Sequence, residues 1–157
     1  MKFQLDFTLF AILLLVIPAG ADDHYYQTDF TKAEFIARRA KIFEKIGKNA
    51  IAVIQGAKGT GDFNVFRQSN EFYYLTGIES PHAYLVLDGR NQRTSIYLPH
   101  RDAGREGNEG KLLSAEDGDL ITELTGIDQV RGIEQLSLDL VGKGLLRPPP
   151  PLLYTPL

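Results

Sequence analysis

Cysteine and tryptophan are absent from this 157-residue chain, which holds a single methionine. No disulfide, thiolate metal site or cysteine nucleophile is therefore available. The absence does not fix the compartment, because an exported protein of this size needs no disulfides. Positive charge is not in surplus either. The 17 Lys and Arg face 20 Asp and Glu, a net charge of −3, which gives no electrostatic reason to expect nucleic acid as a partner. There is no N-x-Ser/Thr sequence, no heptad run and no internal repeat. The longest apolar run, Phe7 to Ile17, has eleven residues. As a helix it reaches about 16 Å, against a hydrocarbon core of ~30 Å, so no stable membrane span is expected.

That run has a different meaning. Lys2 precedes it, and Pro18 and Ala19-Gly20-Ala21 follow it. Charge, apolar stretch and small residues in that order mark a secretory signal peptide over residues 1–21, with cleavage near Ala21. Export to the periplasm or the medium is the expectation. The remainder is of single-domain length and can bury roughly two thirds of its unfolded surface.

Residues 30–47 read as a helix. Thr31 and Glu34 form a capping-box pair, Phe30 and Phe35 can staple it, and Gly47 can end it. Ile36, Ala40 and Phe43, with Ala33 and Ile46, are the expected buried stripe. Arg38 and Arg39 fall on the expected solvated face. Asn49 to Gln55 is β-branched and reads as a first strand. The following Gly56-Ala57-Lys58-Gly59-Thr60-Gly61 invites a phosphate-loop reading. It fails, because Asp62 and Phe63 stand where Lys and Ser/Thr are needed, and Asn64 where a dinucleotide loop needs its third Gly.

Phe66-Arg67-Gln68-Ser69-Asn70-Glu71-Phe72-Tyr73-Tyr74-Leu75-Thr76-Gly77-Ile78 is the stretch around which the rest is organised. Phe72 to Leu75 have high strand propensity and bulky groups on both faces, which predicts an interior strand. Ala83–Leu87 and Arg93–Leu98 read as strands around an Asp88-Gly89-Arg90-Asn91 hairpin, the second partly alternating and so nearer an edge. Asp117 to Leu124 reads as a helix ended by Gly126, Ile127 to Val130 as a strand, and Gly132 to Leu140 as a short helix.

The order Phe-Arg-Gln-x-x-x-Phe-Tyr-Tyr-Leu-Thr-Gly-Ile resembles the signature of the N-terminal domain of the aminopeptidase P family, the Xaa-Pro aminopeptidase and creatinase/prolidase relatives. Arg67, Gln68, Asn70, Tyr73 and Tyr74 stand at its signature positions. Arg101, Asp102, Glu106 and Gly110 match the family's Arg-Asp-x-x-x-Glu-x-x-x-Gly element. Asn108 stands where several members have a Trp that reaches toward an active site, so that contact does not carry over. The resemblance covers about Phe30 to Leu140. It implies an α/β fold, a mixed β-sheet flanked by helices, over residues 22–141.

Without the resemblance, His100, Asp102, Glu106 and Glu109 could be a metal cluster, but loop spacing imposes no common face on them. A solvated, salt-bridged loop is the simpler reading. In the family, catalysis belongs to a C-terminal pita-bread domain whose two Asp, one His and two Glu hold two manganese-type ions and cleave peptides with Pro in second position. The resemblance gives no counterpart of those ligands here, so no catalytic residue, metal ligand or cofactor is expected in this chain. The family role implied is to narrow access to the catalytic cleft and to make subunit contacts, as a homo-oligomer or against a separate catalytic domain. Residues 142–157, with Pro148 to Pro151, read as a Pro-rich tail without regular structure, as in a truncated or frame-altered product. A stand-alone binding or assembly module, a non-functional fragment, and a pseudo-creatinase acting on a guanidino compound are the alternatives.

Overall fold

The computed structural model describes residues 26–59, 66–144, 146–148 and 152–156. The expected signal peptide and the end of the Gly-rich loop lie outside them. Helix α1 (Lys32–Ile46) leads through a single turn to β1 (Ala50–Gln55). Helix α2 (Asn70–Thr76), strands β2 (Tyr84–Asp88) and β3 (Arg93–Leu98), and helices α3 (Ala103–Glu109) and α4 (Gly118–Thr125) follow. Strand β4 (Gln129–Gly132), helix α5 (Leu136–Leu140) and strand β5 (Leu152–Tyr154) complete the order.

The five strands form one mixed sheet in the order β4-β3-β2-β1-β5. β1, β2 and β3 are antiparallel neighbours, whereas β4 and β5 run parallel to β3 and β1. The central strands β1 and β2 are covered on both sides, which is why they are nearly continuous apolar runs. Alternate residues divide between the faces. Ala52, Ile54, Leu85, Leu87, Ile96 and Leu98 meet Phe72, Leu75, Ile121 and Ile127 on the first face, under α1, α2 and α4. Ile51, Val53, Val86 and Tyr97 meet Leu146, Leu136 and Leu140 on the second. Among the described residues that second layer is thin, built on the five-residue α5 and the turn 133–135 before it.

Four expectations change here. Phe72 to Leu75 is not a strand but the middle of α2, whose Phe72, Leu75 and Thr76 are buried at i, i+3 and i+4. Packing of that face and a left-handed Gly77 cap (φ 68°) override the strand propensity of Phe-Tyr-Tyr. β3 is interior, with five of its six residues buried, because β4 covers its outer side. α1 is turned by about one residue from the expected stripe: Phe35, Arg38 and Arg39 are buried, while Ile36 is 46% exposed. Its Thr31 cap and its Phe30–Phe35 staple (ring centroids 6.1 Å apart) form as expected, but the Glu34 carboxylate engages Arg38. Finally, Leu152–Tyr154 of the tail forms β5, an exposed edge strand beside Ala50–Ala52. The edge is where a Pro-flanked segment can pair.

The tetrapeptide Leu-Thr-Gly-Ile occurs twice, at 75–78 and 124–127, a repeat too short to stand out in the sequence. Each copy ends a helix in the same way. The Thr hydroxyl donates to the carbonyl four residues back, and its oxygen accepts the N–H of the Ile. Arg39 joins the two ends, donating to Leu75 O at 2.9 Å and Thr125 O at 2.6 Å. The last four carbonyls of α2 are all satisfied: Tyr73 O by Gly77 N–H, Tyr74 O by Arg38, Leu75 O by Arg39 and Thr76 O by the Tyr26 hydroxyl. Burial pulls the Arg39 guanidinium down to about 10. It remains a cation at neutral pH, placed at the negative ends of two helix dipoles.

Candidate functional site

A cleft of about 170 Å³ opens where the turn before β2 meets the segment after β3. Pro81, Pro99, Leu112 and Leu113 give it apolar walls, and Ser80, His82, His100, Arg101, Asp102, Arg105, Glu106 and Ser114 its polar groups. One wall is built around Gln68. Its side-chain oxygen accepts the Ala57 and Ser69 N–H groups, and its amide donates to Ser80 O at 2.9 Å. A Cβ at Gly56 would come within 2.9 Å of that oxygen and 3.0 Å of Ala83 O, so the close approach needs glycine there. His82 completes the wall. Its N–H donates to Ala57 O, its Nε2 accepts the Gly59 N–H at 3.3 Å, and its backbone has φ 57°. A left-handed, non-glycine residue of this kind stores strain that the surrounding hydrogen bonds must hold.

The opposite wall is a charge lattice. Asp102 caps α3, accepting the Gly104 and Arg105 N–H groups at 3.0 and 3.2 Å. Arg101 reaches Asp117 at 2.6 Å and Glu106 at 3.5 Å. Asp117 also takes the Ser114 N–H and hydroxyl, at 2.9 and 2.7 Å. Burial raises the Asp117 carboxyl, but Ser114 and Arg101 outweigh burial and leave it below its ordinary value. His100 lies between Glu116, 2.6 Å from Nδ1, and Glu134, 3.2 Å from Nε2. Its pKa is raised, first by the Glu116 hydrogen bond. Glu116 is held down to about 2, mainly by His100 and then by the Arg101 N–H.

The eight signature residues thus part company. Arg101, Asp102 and Glu106 line the cleft, and Gln68 braces it from behind. Arg67 and Asn70 are exposed at the start of α2. Tyr73 is half-buried, its hydroxyl raised by burial and then by Glu79 and Asp29. Tyr74 is 50% exposed and stacks on the Arg38 guanidinium, 4.3 Å from its ring centre. The roles of Arg38, Arg39, His82, Glu116 and Glu134 escaped the sequence reading. The paired Leu-Thr-Gly-Ile ends, opposite adjacent arginines on a helix, were the available signal for the first two.

Chemically the cleft is a holding arrangement. The Ser80 hydroxyl donates to Leu113 O, and the Ser114 hydroxyl to Asp117, a carboxylate already paired with Arg101 and held below its ordinary pKa, which makes it a weak base. Among the described residues no group of three His, Cys, Asp or Glu converges as metal ligands. His100, Glu116 and Glu134 do not, because the carboxylates address opposite ring nitrogens. These residues do not fit a pair of metal ions.

Residues 35–143 match the aminopeptidase P N-terminal domain. Xaa-Pro aminopeptidase 3 of Mus musculus is 29% identical over 127 aligned positions, covering 67% of this chain and 24% of its own length. The Xaa-Pro aminopeptidase of Haemophilus influenzae is 31% identical over 97 positions, covering 58% of this chain and 23% of its own. The chain therefore spans about a quarter of these relatives. Among solved structures, aminopeptidase P from E. coli superimposes with a TM-score of 0.62 at 24% identity, over 72% of this chain and 27% of that one. A putative aminopeptidase P from Bacillus anthracis gives 0.67 at 19% identity, over 82% and 31%. Both share the mixed sheet with flanking helices. This chain belongs to the aminopeptidase P family, as an N-terminal domain of the Xaa-Pro aminopeptidase type.

Proposed function

We propose that the domain serves an exported Xaa-Pro metalloaminopeptidase as a non-catalytic wall, narrowing access to the catalytic cleft and contributing subunit contacts. The observation that carries this is how the family-signature charges are used. Arg101, Asp102 and Glu106 engage Asp117, the first turn of α3 and one another. Groups committed in this way shape a rim; they do not move protons or bind ions. Peptides with Pro in second position, and the two manganese-type ions, belong in this reading to the part of the enzyme that the relatives carry beyond this domain.

The direct test is an assay of the purified chain, loaded with Mn²⁺, against a tripeptide with Pro in second position. No release of the N-terminal residue is expected; release above the blank would overturn the non-catalytic role. Export is tested separately by N-terminal sequencing of the secreted product, which should begin at Asp22.

A second reading, a stand-alone binding or assembly module, is favoured by exposed apolar side chains on α5 and β5. Leu138, Val141, Leu152, Leu153 and Tyr154 are all at least half exposed. Sedimentation of the chain alone separates the two, since a stable self-association lost on Leu153→Asp would favour the module.

A further inference from the structure

We propose that His100 is a proton-operated tie at the end of the sheet, joining the segment that enters α4 to the segment that enters α5 only while both ring nitrogens carry protons. The geometry requires this. Nδ1 is 2.6 Å from Glu116 Oε1 and Nε2 is 3.2 Å from Glu134 Oε2. A carboxylate only accepts hydrogen bonds, and neutral imidazole has one N–H, so both contacts together need the imidazolium.

The two carboxylates belong to different layers. Glu116 lies in the turn 115–117, directly before α4 on the first face. Glu134 lies in the turn 133–135, directly before α5 on the thin second face. β3 and β4 run parallel and end together, with Leu98 opposite Gly132, so His100 spans the sheet's end two residues beyond β3. Glu134 folds back over Gly132, where a Cβ would collide with its carboxylate. The other charges nearby have their own partners. Arg101 binds Asp117 and Glu106 through its guanidinium and Glu116 through its N–H, Asp102 caps α3, and Arg105 carries an interaction of its own.

The two ends of the tie are unequal. Glu116 is closer to the ring and is also held by the Arg101 N–H at 2.9 Å. On deprotonation the remaining proton stays on Nδ1, the Nε2 lone pair faces the Glu134 carboxylate, and that end releases. His100 binds its proton more tightly in the fold than an ordinary imidazole does. The tie is therefore complete below the ordinary histidine pKa and is lost as pH rises through the higher folded value. α5 becomes less firmly connected on the alkaline side.

The experiment is an NMR titration of the full chain, with the His100 ring resonance assigned by its loss in His100→Gln and the Glu134 carboxyl carbon followed in parallel. His100 should titrate above an ordinary imidazole, and the Glu134 carbon should move with the His100 midpoint. Glu116→Gln should lower that midpoint most, and Glu134→Gln by less. Glu134 is 55% exposed, so its variant leaves the core untouched. An ordinary His100 midpoint, or one that Glu134→Gln leaves in place, would sink the proposal.

Discussion

Leu75–Ile78 and Leu124–Ile127 are the same four residues closing two helices, yet they stand in unlike surroundings. At Gly77 a Cβ would come within 2.7 Å of the buried Phe35 ring and 2.9 Å of the Tyr26 hydroxyl. At Gly126 it would meet the tip of Ile36 at 2.7 Å and the Lys32 chain at 3.2 Å, both on the exposed side of α1. The first end is packed into the core, with Arg38 and Arg39 of α1 and the Tyr26 hydroxyl on its last three carbonyls. The second leans on flexible side chains. Local sequence sets the shape of a cap, and its surroundings set how much the fold depends on it. Arg39 is what the two share.

Removing Arg39 should have the largest effect of any single change on this pair. Arg39→Leu strips two buried carbonyls of their donor and should destabilise the protein by about 4 kcal/mol. Denaturant unfolding would read it, and Arg39→Lys should recover only part because an ammonium lacks the fork that spans both helix ends. A loss under about 1 kcal/mol would show that water replaces the guanidinium and that the two ends are not joined.

The same two tetrapeptides explain what the sequence could and could not disclose. Gly126 was legible as a helix end because Leu120, Ile121 and Leu124 precede it at helical spacing. Gly77 follows Phe72-Tyr73-Tyr74, whose strand propensity hid an equally helical burial of Phe72, Leu75 and Thr76. The arginines were misplaced for a related reason: burial of a cation becomes reasonable only once helix ends point at it, and that is tertiary information. The strands β1 to β3 and the family signature were readable from residue order, and the mixed sheet followed only from the resemblance that signature carries. The cleft was half readable. Arg101, Asp102 and Glu106 lie within six residues around the start of α3, whereas Gln68 and His82 arrive from distant segments that spacing along the chain does not connect.

Gly77→Ala against Gly126→Ala tests the contrast directly. Both residues have φ 68°, so each alanine carries the left-handed penalty of about 1 kcal/mol. Only at position 77 must a buried aromatic ring also move. Expected losses are about 3 kcal/mol for Gly77→Ala and about 1.5 for Gly126→Ala. Equal losses would mean that Phe35 yields as easily as Ile36. Thr76→Val and Thr125→Val should then be nearly alike, about 1 kcal/mol each, since both remove the same pair of hydrogen bonds from a fully buried hydroxyl.

The smallest effect makes the sharpest test of the second end. Ile36 is 46% exposed, so Ile36→Ala by itself should change stability by less than about 0.5 kcal/mol. Its Cδ1 and Cγ1 are nevertheless the atoms nearest a Cβ at position 126, at 2.7 and 2.8 Å. In the Gly126→Ala background, truncating Ile36 should therefore recover about half a kcal/mol, leaving the backbone strain behind. The double-mutant cycle separates the two parts of the glycine's role: what truncation returns is crowding, and what remains is the left-handed backbone. No recovery would place the whole loss in the backbone and make the difference from Gly77 larger. Full recovery would mean that position 126 relaxes out of the left-handed region once Ile36 is gone, so that the second Leu-Thr-Gly-Ile end owes its shape to α1 as much as the first does.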